Sequence, residues 1–350
     1  MQAMSLAECV DPVADGNSSC IEIGSRDAVP ASALNRDNRA MAPVNPPTWC
    51  DKAHNQVWGT RTQACIWSTV TYTTRRTHNG KTTITGQAEL TVMQYNYTVT
   101  DMGRYAHQID VSMYKGWGDA TKASIDGQGT LQGPCKRESA KFPKQKIAPV
   151  NSWHIGESFW DTTATRAGSK GTCTTYWYLT FTNPPYTPGV TSVSMNQVRC
   201  DNATAGRPVV GCVIPWFAEE LAYSRAKAPT LADHVTKAQK SGLPRTLTRT
   251  ENQAIIDSNR TKACGNAPSI RGKSCDEYPI ATSHQGLHAG GKQRTHQGCG
   301  FTGIPSRSGP TGASVCMIAG GDNNYQGGTN TQFFRRWRVL EKDPFTVAVK

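Results

Sequence analysis

The stretch Ile84-Thr85-Gly86-Gln87-Ala88-Glu89-Leu90-Thr91-Val92-Met93-Gln94-Tyr95-Asn96-Tyr97-Thr98-Val99 carries the periodicity that decides how the first part of the chain folds. Ile84, Ala88, Leu90 and Val92 stand on even positions, and Tyr95, Tyr97 and Val99 on odd ones. Alternation marks a half-buried strand, whose successive side chains leave opposite faces. The change of phase predicts a bulge near Met93 and Gln94. Ile109, Val111 and Met113 repeat the pattern, as do Trp177, Leu179 and Phe181, with Gly, Asn, Pro and Thr between the runs. Many short alternating strands without intervening helices imply an antiparallel sandwich or barrel. Aromatic side chains at strand spacing usually enter a core; where Tyr and Trp stay exposed they would contact glycan or cell wall.

Working outward, residues 1–47 are polar and turn-rich, with Pro43, Pro46 and Pro47 closely spaced. They read as an irregular N-terminal arm. Beyond Cys200 the punctuation turns helical. Pro215 opens a segment through Lys227, and Thr230 with Asp233 resembles a capping box for a helix that Gly242 and Pro244 stop. Thr250 with Gln253 fits the box fully, and Gly265 ends that helix. Leu231, Val235 and Ala238 share one face, so the first of these helices packs. The expected organisation is an arm (1–47), a β-rich accessory domain (48–200) and an α+β domain (201–350).

Twelve cysteines, an even number with no Cys-x-x-Cys among them, remove the usual support for zinc ribbons and thioredoxin-type redox sites. Disulfides are then the default. Sequence alone does not fix connectivity, but the neighbours suggest Cys9/Cys20, Cys50/Cys65, Cys135/Cys173, Cys200/Cys212, Cys264/Cys275 and Cys299/Cys316. Six bridges imply an oxidising compartment, so the expected localisation is secreted and extracellular. No apolar run is long enough to span a bilayer. Met1–Ala7 lack the apolar core of a signal peptide, so an export signal is expected to be absent from this form of the chain.

The net charge of +12 is uneven: residues 201–350 hold 19 Lys and Arg against 11 Asp and Glu, the rest 19 against 15. That bias attracts polyanions and steers them, without choosing among DNA, RNA, anionic lipid and acidic glycan. No Gly-x-Ser-x-Gly elbow or phosphate loop is present, which leaves serine hydrolases and kinases unsupported.

Two stretches carry chemistry. In Lys273-Ser274-Cys275-Asp276-Glu277-Tyr278-Pro279, Pro279 forbids a helix interior and biases Tyr278 toward extended backbone. Asp276 and Glu277 then point to opposite sides, so one carboxylate faces a site while the other anchors the segment. In Gly320-Gly321-Asp322-Asn323-Asn324-Tyr325-Gln326-Gly327-Gly328, Asp322 and Asn323 precede a helix predicted over Thr329–Arg338. They read either as its cap or as oxygen ligands of Mg²⁺ or Mn²⁺. Arg335, Arg336 and Arg338 follow, a cluster suited to phosphate. His284, His288 and His296 offer a competing Zn²⁺ reading, but Gly286, Gly290 and Gly291 disfavour the helix that would align them. Histidines in a loop, exposed or touching phosphate, are the expected outcome.

The run Ser274–Ser283, the Asp322-Asn323-x-x-Gln326-Gly327-Gly328 stretch and the close Arg338-Val339-Leu340…Asp343-Pro344-Phe345 together resemble the secreted NucA/NucB-type deoxyribonucleases, in particular their large, cysteine-rich actinobacterial forms. The resemblance covers about residues 250–350. It implies a compact ββα-metal core in the C-terminal domain, so that with the alternating strands before it the expected fold is α+β: an N-terminal antiparallel β-sandwich-like domain followed by a disulfide-stapled α+β nuclease domain. It also implies that Asp276 or Glu277 activates water, and that Asn323, with Asp322, holds one divalent cation, Mg²⁺ or Mn²⁺. Lys273, Arg294, Gln326, Arg335 and Arg336 are the candidate substrate contacts. Gln285 stands where relatives often carry Glu, and Gly286-Leu287 where they carry Gly-Gly, so no third carboxylate is expected here.

The expected function is metal-dependent endonucleolytic hydrolysis of DNA phosphodiesters with little sequence preference, RNA being the other substrate to test. A non-enzymatic extracellular DNA- or glycan-binding matrix protein is the alternative. A toxin role, which would be accompanied by an immunity protein, is not separable from scavenging by sequence.

Overall fold

The computed structural model describes residues 9, 14–24, 34 and 44–350. They divide into two compact units, one of residues 1–202 with 209–214, the other of 203–208 with 215–350. The chain therefore passes between the units more than once, where the sequence suggests a single boundary near residue 200. The reason is local: Cys200 pairs with Cys212 both across an antiparallel ladder and through a disulfide, which keeps residues 198–213 largely with the first unit.

The first unit holds twelve strands among the described residues. In chain order they are β1 (Gly16–Gly24), β2 (Trp58–Gly59), β3 (Gln63–His78), β4 (Lys81–Thr98), β5 (Arg104–Gly118), β6 (Ser124–Gln132), β7 (Cys135–Lys146), β8 (Trp153–Thr162), β9 (Lys170–Thr182), β10 (Gly189–Ser194), β11 (Val198–Asp201) and β12 (Gly211–Val213). The sheet runs β1-β3-β4-β5-β8-β7-β6-β9-β11-β12, with antiparallel ladders throughout. It curls so that one end faces the other. Val70, Leu90, Val92, Ile109 and Val111 from one half share a single core with Ile125, Trp177, Leu179, Phe181 and Val193 from the other.

The structure corrects two expectations in this unit. Residues 16–24, expected within an irregular arm, form β1, which pairs with β3 from Gly16↔Thr77 to Gly24↔Thr69. Cys20 and Ile21 are buried in it, and the Cys9–Cys20 disulfide fastens it. Most of the rest of the arm lies outside the described residues. The bulge expected near Met93 and Gln94 is also absent: β4 stays in register there with both neighbours, and its shift against β5 falls at Glu89/Leu90. The phase changes because both faces of β4 are covered. Leu90 and Val92 enter the main core, while Met93 and Tyr95 pack with Cys50, Ala53, Cys65 and Trp67 on the other face.

The second unit is α+β. Its elements are β13 (Glu219–Tyr223), α1 (Pro229–Lys240), β14 (Thr246–Thr248), α2 (Gln253–Cys264), β15 (Lys273–Tyr278), β16 (Gln293–Arg294), β17 (Ala313–Ala319), α3 (Gly320–Arg336) and β18 (Pro344–Val349). They form two three-stranded sheets, β13-β18-β14 and β15-β17-β16. Leu221, Tyr223, Leu231, Val235, Tyr278, Ile318, Phe333, Phe334 and Phe345 close a common core. The segment from Pro215 to Lys227, expected to be helical, instead contains β13, because Leu221 and Tyr223 alternate into that core beside parallel β18. Among the described residues no helix is long and apolar enough to cross a membrane.

Six disulfides are present: Cys9–Cys20, Cys50–Cys65, Cys135–Cys173, Cys200–Cys212, Cys264–Cys275 and Cys299–Cys316. Two of them tie β15 to the end of α2 and β17 to the loop before it, which fixes the strand pair that carries the site.

Candidate active site

β15 and β17 pair antiparallel from Lys273↔Ala319 to Tyr278↔Ser314, and β17 runs without a loop into α3. Two strands and a helix are thereby joined into one ββα frame. α3 begins nine residues earlier than the sequence suggests, so Asp322 and Asn323 lie in its first turn and Gly327 and Gly328 in its middle. A mid-helix glycine costs about 0.5–1 kcal/mol relative to alanine. Nothing lies within 4 Å of the place where a Cβ would stand at either glycine, so this face of the helix is bare and open.

Against that face lies a cleft of about 320 Å³, lined by Arg260 and Cys264 of α2, Cys275, Asp276 and Glu277 of β15, the turn Ile280–Thr282, and Asn323, Gln326, Gly327 and Asn330 of α3. The two acidic and amide segments picked out in the sequence therefore share one cavity. Their roles differ, because adjacent residues on β15 leave opposite faces. Asp276 is buried, and its Oδ2 lies 2.6 Å from Nδ1 of His234 on α1; His234 Nε2 lies 2.9 Å from Ser314 Oγ on β17. Glu277 has no such partner. Burial, then the neighbouring Asp276 charge, push its carboxyl up to about 7, while the Arg260 guanidinium pulls the other way. A carboxyl poised there can hold or release a proton near neutrality.

Asn323 donates from Nδ2 to Ser274 Oγ at 3.2 Å, which leaves its Oδ1 as the acceptor toward the cleft lining. A carboxamide oxygen with a carboxylate nearby is a hard-oxygen donor set. It suits Mg²⁺ or Mn²⁺, which keep waters and complete their shell with substrate phosphate, and it does not suit tetrahedral Zn²⁺. Among the described residues no group of three or more His, Cys, Asp or Glu converges as a metal site. The alternative zinc histidines are dispersed accordingly. His284 Nε2 meets Glu341 Oε1 at 2.7 Å, and the backbone of His288 donates to Asn259.

The remaining candidates separate. Asp322 does not line the cleft: its Oδ2 accepts from Thr230 N at 2.8 Å, Thr230 Oγ1 at 2.6 Å and Leu231 N at 3.4 Å. It caps α1 from outside, in place of the capping box expected at Thr230, and such a cap is worth about 0.5–2 kcal/mol. A carboxylate oxygen so engaged is a poor metal ligand. Arg294, expected to touch substrate, is buried and donates to Ser241 O, Ser241 Oγ, Gly309 O and Thr311 O, so it staples loops together. Gln326 lines the cleft; Lys273 is exposed at the start of β15. Arg335 donates to Ala205 O, and the Arg336 guanidinium lies over the Trp337 ring. Gln285, at the position noted for its missing carboxylate, holds β14 by bonding Thr248 N and Oγ1.

Sequence reasoning missed His234, Arg260, Tyr223 and Asn330. Tyr223 is fully buried beneath α3 and donates to Asn330 Oδ1 at 2.7 Å. His234 had a legible signal, since it shares the apolar face of Leu231, Val235 and Ala238, where a polar residue demands a partner. Arg260 stands four residues before Cys264, on the same helix face, and Cys264 is bonded into β15 beside Glu277.

Residues 232–348 match the family model described as Deoxyribonuclease NucA/NucB. No curated protein matches the chain.

Proposed function

From the match of residues 232–348 to the Deoxyribonuclease NucA/NucB family model, we propose that this chain is a secreted, divalent-metal-dependent endonuclease that hydrolyses DNA with little sequence preference. The observation that carries the reading is the meeting of Glu277 with Asn323 in one cleft, beside the guanidinium of Arg260.

Glu277 is the general base: its Oε atoms take the proton of the attacking water, which a carboxyl titrating near 7 does efficiently at neutral pH. Arg260 faces the same space and pairs with a non-bridging phosphate oxygen, opposing charge as it builds. Asn323 Oδ1, its amide fixed by Ser274, is the residue that would hold the cation. When bound, Mg²⁺ or Mn²⁺ supplies charge neutralisation at the phosphate and help for the leaving oxygen. Gln326 orients the phosphodiester from the helix face. Asp276 acts through position: tied to His234, it fixes β15 and so the aim of Glu277. Arginine and amide groups of this kind grip phosphate, which carries no sequence information. Secretion is supported by the six disulfides, which an oxidising compartment preserves.

The test is digestion of supercoiled plasmid and of RNA by the full chain, after EDTA and after restoring Mg²⁺ or Mn²⁺. Metal-restored nicking of DNA is expected. An intact plasmid under every metal would overturn the nuclease reading, and nicking indifferent to chelation would overturn the metal dependence.

A further inference from the structure

The cleft does not end at Gly327. A second cavity of about 270 Å³ shares Arg260, Thr282, Gly327 and Asn330 with it, and continues past α3 between Arg249, Glu251, Phe334, Arg335, Val339 and Leu340. Three guanidiniums thus line one trench from three separate elements: Arg249 just after β14, Arg260 on α2 and Arg335 on α3.

Arg249 is held as a pre-set cation. Its guanidinium carbon lies 4.0 Å from the centroid of the Phe334 ring and Nη1 donates to Thr282 O at 3.4 Å, which restricts the side chain, while the Glu251 and Glu341 carboxylates favour its charged form. Its Nε is buried without a hydrogen-bond partner, and so is Oγ1 of Thr282, which also lines the trench. Two buried polar atoms wanting partners, side by side in the trench wall with a cationic group, form a site for an anion with several acceptor oxygens. The trench carboxylate, Glu251, is engaged with the backbone N–H of Glu341. Gly327 presents bare helix at the junction of the two cavities, where Arg260, Thr282 and Asn330 line both, so a sugar-phosphate chain passing from one into the other would run over Gly327 between those side chains.

We propose that this trench is a phosphate subsite for the nucleotide next to the scissile bond, with Arg249 and Arg335 gripping that second phosphate. The proposal rests on the reading of the Glu277 cleft as the hydrolytic centre. It follows that the enzyme acts poorly on a dinucleoside monophosphate, whose single phosphate leaves the trench empty, and gains rate as the strand lengthens into it.

The experiment uses the full chain and a labelled oligothymidylate. Binding is measured against salt in the Glu277→Gln background, where the probe stays uncut, with and without Arg249→Met and Arg335→Gln. Methionine keeps the packing on Phe334, and Arg335→Gln alone serves if the double variant folds poorly. The slope of log affinity against log salt is expected to become shallower by about 0.7 for each phosphate of a single strand that is no longer neutralised. In the otherwise unsubstituted enzyme, the ratio of kcat/KM for the oligothymidylate over that for the dithymidine monophosphate is expected to collapse in the same variants. An unaltered slope and ratio would overturn the trench while leaving nicking in place. Absence of nicking by the unsubstituted chain would overturn the nuclease reading, and the binding slope would still decide whether the trench takes phosphate.

Discussion

His234 Nδ1 lies 2.6 Å from Asp276 Oδ2, inside a unit where both side chains are buried, and this contact divides the Asp276-Glu277 pair into two roles. With Ser314 Oγ at 2.9 Å on the other ring nitrogen, the imidazole joins α1, β15 and β17. Asp276 is consumed by that bridge. Both carboxylates line the cleft, and it is Glu277, without a histidine partner, that is left to act there.

His234→Ala is expected to leave a buried carboxylate without its partner and to destabilise the unit by about 3 kcal/mol. Chemical denaturation would read the loss. His234→Gln, which can still donate to Asp276, should recover part of both stability and nicking rate; equal behaviour of the two variants would count against a positioning role.

Glu277 sets the pH dependence. As a base it must be ionised, so the rate is expected to rise with pH through about 7 and to level off above it. Arg260→Gln removes the charge that draws the carboxyl downward, so the midpoint of the rate profile should move up. The sign for stability is the opposite of that for activity. A carboxyl whose folded value is raised favours the folded state below its unfolded range, and that contribution is lost as pH rises through about 7. Glu277→Gln should therefore gain stability over the parent chain between about pH 5 and 8, while losing roughly 10²–10⁴-fold in kcat/KM. Thermal melts across that pH range, set beside nicking rates, check both signs.

Arg294 is expected to behave as structure. Arg294→Met removes donors from three loop carbonyls and Ser241 Oγ, so it should lower the melting temperature without changing the salt dependence of DNA binding. A shallower salt slope in that variant would restore it as a substrate contact.

The two kinds of pattern in the sequence were not equally legible. Strands declared themselves wherever one face was wet. Where both faces of β4 are covered, the same alternation looked like a bulge, because hydrophobicity no longer tells one core from another. β1 was hidden for a related reason: its nine residues sit among polar, proline-rich neighbours, and what holds it is pairing with distant β3. In the site, residue types and order brought Asp276, Glu277, Asn323 and Gln326 to attention. The division of labour among them was not readable, since it depends on contacts between elements far apart in sequence. Asp322 looks like a ligand until Thr230 is found beneath it, and Arg294 looks like a phosphate clamp until three carbonyls are found around it. Arg260 was invisible for the converse reason, and His234, though marked by its place on an apolar helix face, gains its meaning only from β15.

Removal of metal should act through Asn323. After exhaustive chelation the full chain is expected to lose nicking and to recover it with Mg²⁺ or Mn²⁺, and Asn323→Ala should need more of either ion for half-maximal recovery. An unchanged metal requirement in that variant would take the cation away from Asn323.

The most direct measurement is a double-mutant cycle on plasmid nicking with Glu277→Gln, Asn323→Ala and the pair combined. If both residues serve one hydrolytic centre, the double variant should be no slower than the slower single variant, because the second change removes help from a reaction already lost. Losses that multiply, each residue contributing in full without the other, would contradict a shared centre.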